Sequence, residues 1–101
     1  MIDASARAIF ERNISEIELA DVVLACIDNY DPGTIWEMGY AYGIREAGCT
    51  KAKLIAYTTK HHGLNLMLSE SCDGFLRGYK SIRDYFGGAT DVAVAWKGER
   101  T

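Results

Sequence analysis

The sequence predicts an α/β fold in which helices flank a mainly parallel sheet. Three stretches place apolar residues at the spacing of an amphipathic helix, and short, nearly uncharged runs separate these stretches. A strand that is apolar along its whole length is typical of a parallel sheet, because helices cover both of its faces. The alternation of helices and strands therefore favours parallel strands joined by helical crossovers.

The first half of the chain is predicted to contain a helix, a strand and a second helix. The strand is the apolar run at residues 22–27. The second helix is expected from Gly33 or Thr34 to about Ala47, where Gly48 offers a stop. The first helix is expected over residues 4–19, on the helical spacing of Ala6, Ile9, Phe10, Asn13, Ile14 and Ile17.

The second half is predicted to contain further strands and a last helix. Residues 53–58 and 91–96 are expected to form strands, and residues 73–76 a short one. Residues 64–68 fit either a helical turn or an extended piece. An amphipathic helix is expected over residues 79–86, where a pair of glycines ends it.

Composition excludes several classes of partner. We expect the 101 residues to form one domain, residues 1–101. The net charge is −3 and the 11 basic residues are scattered, so no nucleic-acid polymer is expected as a partner. No apolar run has the length of a membrane span, and no secretory signal pattern is present, so we expect a cytoplasmic protein without a membrane partner.

No metal or cofactor is expected either. The three cysteines are odd in number and match no metal or redox spacing, which is typical of reduced cysteines in a cytosolic protein. His61 and His62 lie in a polar loop without a partner at ligand spacing, and we interpret them as solvated.

Three carboxylates surround the turn between the first predicted strand and the second helix. Asp28 ends the strand, Asp31 lies in an Asp-Pro-Gly turn, and Glu37 falls in the first turn of the helix. In open α/β sheets, ligands bind beyond the carboxyl ends of the strands. These carboxylates are therefore predicted to converge where such folds bind their ligands.

A purely structural interpretation explains part of this pattern. The stretch from Thr34 to Glu37 fits a capping box, in which the two side chains satisfy the free amides of a helix start. Asp31, Pro32 and Gly33 are the residues that a tight turn favours.

A chemical interpretation uses the same residues. A carboxylate near a helix N-terminus is held as an anion, which suits a nucleophile. A second carboxylate beside an apolar strand end, such as Asp28, is expected to be desolvated, so that its pKa rises and it serves as a general acid. Two carboxyl groups in these roles break a glycosidic bond with retention of configuration.

The segments ADVVLACID, DPGTIWEMGYAYG and LNLML, in this order, resemble the nucleoside 2-deoxyribosyltransferase family over about residues 14–86. The resemblance implies a Rossmann-like or flavodoxin-like sheet, a nucleoside or nucleoside 5′-monophosphate as substrate, and no cofactor. It implies that Glu37 is the nucleophile that forms a covalent deoxyribosyl intermediate. It also implies that Asp28 contacts the nucleobase and takes part in proton transfer, and that Asp31 contacts the sugar hydroxyls.

Further site residues follow from the same resemblance. Gly33 and Thr34 belong to the matching motif and are expected to contribute to substrate binding. By resemblance, Asn65 reaches into the site of a neighbouring subunit and helps to position the sugar, with Met67 close by. A homo-oligomer is therefore expected. No basic or Ser-rich phosphate pocket is evident, which favours nucleosides over monophosphates.

The chain departs from the family pattern at its front. Members usually open with a strand like Tyr-Leu-Ala-Gly-Pro, then a helix and a second strand, whereas here a helix directly precedes ADVVLACID. The sheet is therefore expected to lack the family's first strand or strands. Three explanations stay open. The chain is a truncated or minimal member with little activity, another subunit supplies the missing edge, or residues 91–96 occupy the vacated position in the sheet. An uncovered edge favours oligomerisation or strand replacement.

Two further expectations concern the second helix and the pocket. Gly39 and Gly43 lie one turn apart on a charge-poor helix, which predicts close approach of its backbone to the sheet and to a second subunit. The short loop between Asp28 and Asp31 predicts an open pocket, which favours hydrolysis over transfer.

The alternative to an enzyme is a degenerate member that binds a nucleotide or a related small molecule without turnover. A purely structural α/β domain is the third hypothesis.

Overall fold

Helices and strands alternate along the chain in the computed structural model, which describes residues 3–60 and 63–87. The elements are α1 (Asp3–Leu19), β1 (Val22–Cys26), α2 (Pro32–Glu46), β2 (Lys53–Thr58), α3 (Leu66–Ser71), β3 (Gly74–Arg77) and α4 (Tyr79–Phe86). The predicted strand at residues 91–96 and the interpretation of His61 and His62 lie outside the described residues.

The strands form a parallel sheet in the order β1-β2-β3. Leu24 of β1 is in register with Ile55 of β2, and Ile55 is in register with Gly74 of β3. The α/β prediction with a mainly parallel, Rossmann-like sheet is confirmed. Within the described residues β1 pairs with β2 alone, so the side of β1 that faces away from β2 is unpaired there.

The core lies where α1 and α2 pack near the β1 and β2 side of the sheet. α2 contributes Met38 and Ala41, which are buried, and β2 is buried along most of its length. Ile27, which follows β1, and Phe75 of β3 are fully buried in the same cluster. This packing fixes the start of α2 just beyond the carboxyl end of β1.

Two details of the second half differ from or refine the prediction. The ambiguous residues 64–68 lead into a helix, since Asn65 is the N-cap of α3 and its side chain accepts a hydrogen bond from the Met67 amide at 2.8 Å. Strand β3 begins at Gly74, one residue later than expected. The helix predicted over residues 79–86 is confirmed as α4.

The predicted close approach of the α2 backbone to the sheet is wrong at Gly39 and Gly43. A Cβ atom added at either glycine would meet no atom within 4 Å. The physical reason is that α2 packs on the core through Met38 and Ala41, whereas both glycines are exposed. Approach by a second subunit stays a prediction.

Helix α1 is held against α2 by aromatic and polar contacts. The ring of Phe10 meets that of Trp36 edge-on at 5.5 Å between centroids, and the Tyr40 hydroxyl donates a hydrogen bond to Glu18 at 2.7 Å. None of the helices within the described parts of the chain combines the length and the apolar character that crossing a membrane requires. Because α1 crosses the first turns of α2, these two helices enclose the space described next.

Candidate active site

A cleft of about 420 Å³ lies between α1 and the start of α2, and we call it the α1–α2 cleft. Its lining residues are Phe10, Asn13, Ile14 and Ile17 from α1, and Asp31, Gly33, Trp36 and Glu37 from the start of α2 and the residue before it. One wall is thus mainly apolar, and the other carries two carboxylates. A volume of this size lies within the usual range of small-molecule sites.

Asp31 caps the helix that carries Glu37. Its carboxylate accepts a hydrogen bond from the Thr34 amide at 3.0 Å, and Pro32 occupies the first helical position. A Cβ at Gly33 would lie 3.1 Å from the Asp31 carboxylate, so glycine leaves room for this cap. The cap holds one carboxylate of the cleft in a defined place.

The predicted capping box of Thr34 and Glu37 is wrong. Because Pro32 already fits the first turn of a helix, α2 begins two residues before Thr34, and Asp31 takes the capping position. Glu37 therefore lies in the second turn, beyond the free amides that a capping glutamate would satisfy. Its carboxylate is not used to start the helix.

Glu37 faces open space on two sides. It lines the α1–α2 cleft and also a smaller groove of about 170 Å³ that runs along β1 and includes Thr34 and Met38. Its side chain is partly exposed and makes no hydrogen bond or ion pair with residues 3–60 or 63–87. A carboxylate without a hydrogen-bond or ion-pair partner in that part of the chain is available to a ligand.

Asp28 is held at the carboxyl end of the sheet by two threonines. Its carboxylate accepts hydrogen bonds from the Thr58 hydroxyl at 2.6 Å, the Thr59 hydroxyl at 2.5 Å and the Thr59 amide at 2.9 Å. These donors stabilise the charged form and hold the pKa of Asp28 well below its ordinary value, with the Thr58 hydroxyl as the largest cause. The expected rise in the pKa of Asp28 by desolvation is wrong, since hydrogen bonding outweighs burial here.

The structure brings some of the predicted site residues together and separates others. Asp31, Gly33 and Glu37 share the α1–α2 cleft, and Thr34 joins Glu37 in the groove along β1. Asp28 lines neither of these two spaces. The threonines that hold it were missed from sequence, although two adjacent hydroxyl residues at a strand end are a usable signal.

Asn65 and Met67 belong to a different groove. Together with Tyr30 they line a space of about 470 Å³ beside α3, and the Met67 side chain is 76% exposed. The Asn65 side chain caps α3 within its own chain. Neither residue lines the α1–α2 cleft of the same chain.

The wall supplied by α1 was also missed. From sequence, Phe10, Asn13 and Ile14 served only to predict the first helix by their spacing, yet they line the cleft opposite Asp31 and Glu37. The usable signal was Asn13, an amide within an otherwise apolar stripe. Among the described residues, no group of His, Cys, Asp and Glu side chains is arranged to hold a metal ion.

Comparison with known proteins gave one result at the family level. The sequence model of the family described as nucleoside 2-deoxyribosyltransferase matches residues 2–92. No match was found among curated proteins or among solved structures. The family match covers nearly the whole chain, including all residues of the α1–α2 cleft.

Proposed function

The chain belongs to the nucleoside 2-deoxyribosyltransferase family, and from this premise we propose that it cleaves or transfers the N-glycosidic bond of 2-deoxyribonucleosides or their 5′-monophosphates. Glu37 is the nucleophile in this proposal. The observation that carries it is the Glu37 carboxylate, which faces the α1–α2 cleft beside Asp31 and has no hydrogen-bond partner within the described residues.

The first chemical step forms a covalent intermediate. A Glu37 carboxylate oxygen bonds to C1′ of the deoxyribose while the bond from C1′ to the base nitrogen breaks. The electron pair of the broken bond goes to the base, which takes up a proton from solvent as it leaves. The hydrogen bonds from Thr58 and Thr59 lower the pKa of Asp28, which argues against this carboxylate as the source of that proton.

The second step releases the sugar from Glu37. An incoming base nitrogen or a water molecule bonds to C1′, the bond from C1′ to Glu37 breaks, and the carboxylate regains its electron pair. The proton of the incoming group goes to solvent. The open α1–α2 cleft favours water as the acceptor, so hydrolysis is expected to compete with transfer.

The other site residues position the substrate. We assign the sugar hydroxyls to Asp31, whose orientation is fixed by the Thr34 amide and by the space at Gly33. We assign to Asp28 the role of an ionised hydrogen-bond acceptor for the base at the edge of the site. Thr34 lines the groove that also reaches Glu37, which is consistent with a contact to the substrate.

A neighbouring subunit completes the site in this proposal. Asn65 and Met67 lie in a groove that does not reach Glu37 of the same chain. A homo-oligomer in which Asn65 contacts the sugar in the next subunit would give both residues a role. The exposed Met67 side chain is consistent with burial in such a contact.

Replacing Glu37 by glutamine tests the proposed reaction. Glu37→Gln should lose at least about 10³-fold in turnover of deoxynucleosides, because the neutral amide is a poor nucleophile, while its Tm stays within about 2 °C of wild type. Base exchange and base release are measured by chromatography. Glu46→Gln, the same change on the same helix but outside the cleft, is the matched control and should keep full activity.

A second candidate is binding of a nucleotide without turnover. The low pKa of Asp28 favours it, since the residue expected to serve as the acid is ionised. Binding alone predicts that wild type and Glu37→Gln are equally inert and that a deoxynucleoside raises the Tm of both. Turnover that depends on Glu37 rules this candidate out.

A further inference from the structure

Thr58 and Thr59 together donate hydrogen bonds to both oxygens of the Asp28 carboxylate. One oxygen, Oδ1, accepts from the Thr58 hydroxyl at 2.6 Å and from the Thr59 amide at 2.9 Å. The other oxygen, Oδ2, accepts from the Thr59 hydroxyl at 2.5 Å. Because each oxygen has its own donor, the carboxylate cannot rotate without breaking a hydrogen bond. The plane of the Asp28 carboxylate is therefore fixed.

The two threonines differ in their surroundings. Thr58 is fully buried, and its hydroxyl also accepts a hydrogen bond from the Lys60 amide at 3.0 Å. The Thr58 side chain therefore helps to shape the turn that follows β2. Thr59 is exposed, and within residues 3–60 and 63–87 its hydroxyl bonds to Asp28 alone. Its side chain is thus dedicated to this carboxylate.

Joining the two strands does not require the Thr59 hydroxyl. The backbone already joins the ends of β1 and β2, since the Ile27 amide donates a hydrogen bond to the Tyr57 carbonyl at 3.0 Å. The Thr58 hydroxyl and the Thr59 amide hold Asp28 at Oδ1 without it. Ordering an exposed side chain also costs conformational entropy. What the Thr59 hydroxyl adds is control of the second carboxylate oxygen, Oδ2.

The hydrogen bonds at Asp28 leave acceptor capacity on Oδ2. An ionised carboxylate has about four acceptor positions, two on each oxygen. Both positions on Oδ1 are taken, whereas Oδ2 accepts one hydrogen bond. Among the hydrogen bonds that lower the pKa of Asp28, that of the Thr58 hydroxyl has the largest effect and that of the Cys26 thiol, a weak donor, the smallest. Asp28 is only partly buried, which leaves Oδ2 open to a stronger donor from a ligand.

We propose that Thr59 is a positioning residue, and that by fixing Oδ2 of Asp28 it makes the protein select bases that carry an exocyclic amino group. This inference rests on the proposed function, in which Asp28 contacts the base. A fixed, ionised acceptor forms a hydrogen bond with the N–H of an amino group and none with a base that lacks such a donor. Without the Thr59 hydroxyl the carboxylate is free to turn, so the hydrogen bond to the base weakens and the selectivity falls.

Binding of two nucleosides that differ only in the amino group tests the inference. 2′-Deoxyadenosine and purine 2′-deoxyriboside are titrated by calorimetry into the Glu37→Gln protein, so that neither is consumed. Deoxyadenosine should bind at least about 10-fold more tightly, because it alone donates a hydrogen bond to a charged acceptor. Thr59→Val, which keeps the shape and the amide but lacks the hydroxyl, should reduce this ratio to below about 3-fold. Thr59→Ser, which keeps the hydroxyl, should retain the full ratio.

A threonine away from Asp28 supplies the matched control. The Thr50 hydroxyl accepts a hydrogen bond from the Ala52 amide, and Thr50→Val should keep the full ratio. A merely structural role of Thr59 would lower the Tm of Thr59→Val or weaken the binding of both nucleosides alike. Such an effect cancels in the ratio of the two dissociation constants, whereas loss of base selection does not.

Three results overturn the inference: equal binding or no binding of the two nucleosides, an unchanged ratio in Thr59→Val, or a ratio lost in Thr59→Ser as well. The proposed function fails separately, because turnover is measured with the protein that keeps Glu37. If that protein turns over deoxyadenosine while the binding ratio does not depend on Thr59, the proposed function stands and this inference is wrong. If the ratio depends on Thr59 but no deoxynucleoside is turned over, this inference stands and the proposed reaction is wrong.

Discussion

Glu37 and Asp28 differ in how the protein uses their charge. The carboxylate of Asp28 accepts three hydrogen bonds from Thr58 and Thr59, whereas that of Glu37 accepts none within the described residues. A carboxylate surrounded by donors is a weak nucleophile and a weak base, because those donors stabilise its negative charge. The hydrogen bonds at Asp28 are therefore consistent with the proposal that Glu37, and not Asp28, attacks C1′.

Asp28 gives a prediction for the pH dependence of stability. Its pKa is lowered in the folded state from an ordinary value of 3.8, so the stability it contributes is present above that value and is lost as the pH falls below it. Asp28→Asn should therefore have a lower Tm than wild type at about pH 7, and the difference should shrink between about pH 5 and about pH 3.

Thermal unfolding followed by circular dichroism measures this difference. Asp21→Asn, which removes an exposed carboxylate that makes no side-chain hydrogen bond to the described residues, controls for the change in net charge. A gap between wild type and Asp28→Asn that is constant from pH 7 to about pH 3 would contradict the account.

Helix α2 depends on Asp31 for its start, and this residue has a second role in the proposed reaction. Asparagine caps a helix as well as aspartate, whereas alanine does not. Asp31→Ala should therefore lower the free energy of unfolding by about 0.5–2 kcal/mol, and Asp31→Asn by less than about 0.5 kcal/mol. Both variants should lose activity, because both lack the charged acceptor for the sugar hydroxyls.

Urea unfolding and steady-state kinetics on the same preparations separate the two roles. Activity in Asp31→Asn equal to that of wild type would show that capping alone explains this aspartate. A loss of stability in Asp31→Asn as large as in Asp31→Ala would instead show that the charge, and not the hydrogen bond to the Thr34 amide, holds the start of α2.

Most elements were predictable from the sequence because each carries its own periodic pattern. α1 and α4 have apolar residues at helical spacing, and β2 is an apolar run of strand length. The start of α2 was not predicted, because Pro32 and Thr34 both give start signals and only the folded turn decides between them. α3 was ambiguous because a six-residue helix is too short to show a period.

The candidate site was predictable from sequence only where its residues lie close together along the chain. Asp31, Gly33 and Glu37 lie within one turn and helix start, so a single motif locates them. The α1 wall is a different case, since Asn13 and Phe10 reach the cleft only through the packing of α1 across α2. The threonines that lower the pKa of Asp28 come from β2 and the residue after it, and pairing of the strands brings them there.

The molecule as a whole leaves both outer edges of its sheet, at β1 and at β3, unpaired within the described residues. Leu24, on the edge strand β1, is 41% exposed. Open edges favour association, which agrees with the proposal that a second subunit contributes Asn65 to the site. A shared site of this kind makes activity a property of the assembly rather than of one chain.

Mixing two inactive variants tests for a shared site. Glu37→Gln lacks the nucleophile, and Asn65→Ser lacks the amide but keeps a capping side chain for α3. If each site takes Glu37 from one subunit and Asn65 from the next, equal mixing after dissociation should restore about one quarter of wild-type activity. Each variant alone should stay inactive.

Analytical ultracentrifugation of the mixture confirms that subunits have exchanged. Restored activity in that mixture requires Glu37 and Asn65 to act from different chains. An oligomer that exchanges subunits and stays inactive would contradict the role of Asn65, as would full activity of Asn65→Ser on its own.

The central claim is that Glu37 becomes covalently bonded to the sugar, and mass spectrometry of the protein after mixing with a deoxynucleoside tests it most directly. Rapid acid quenching followed by peptide mapping should find a deoxyribosyl group on the peptide that contains Glu37, and none in Glu37→Gln. Base release by the wild-type protein with no adduct on that peptide, or with an adduct on another residue, would contradict the account.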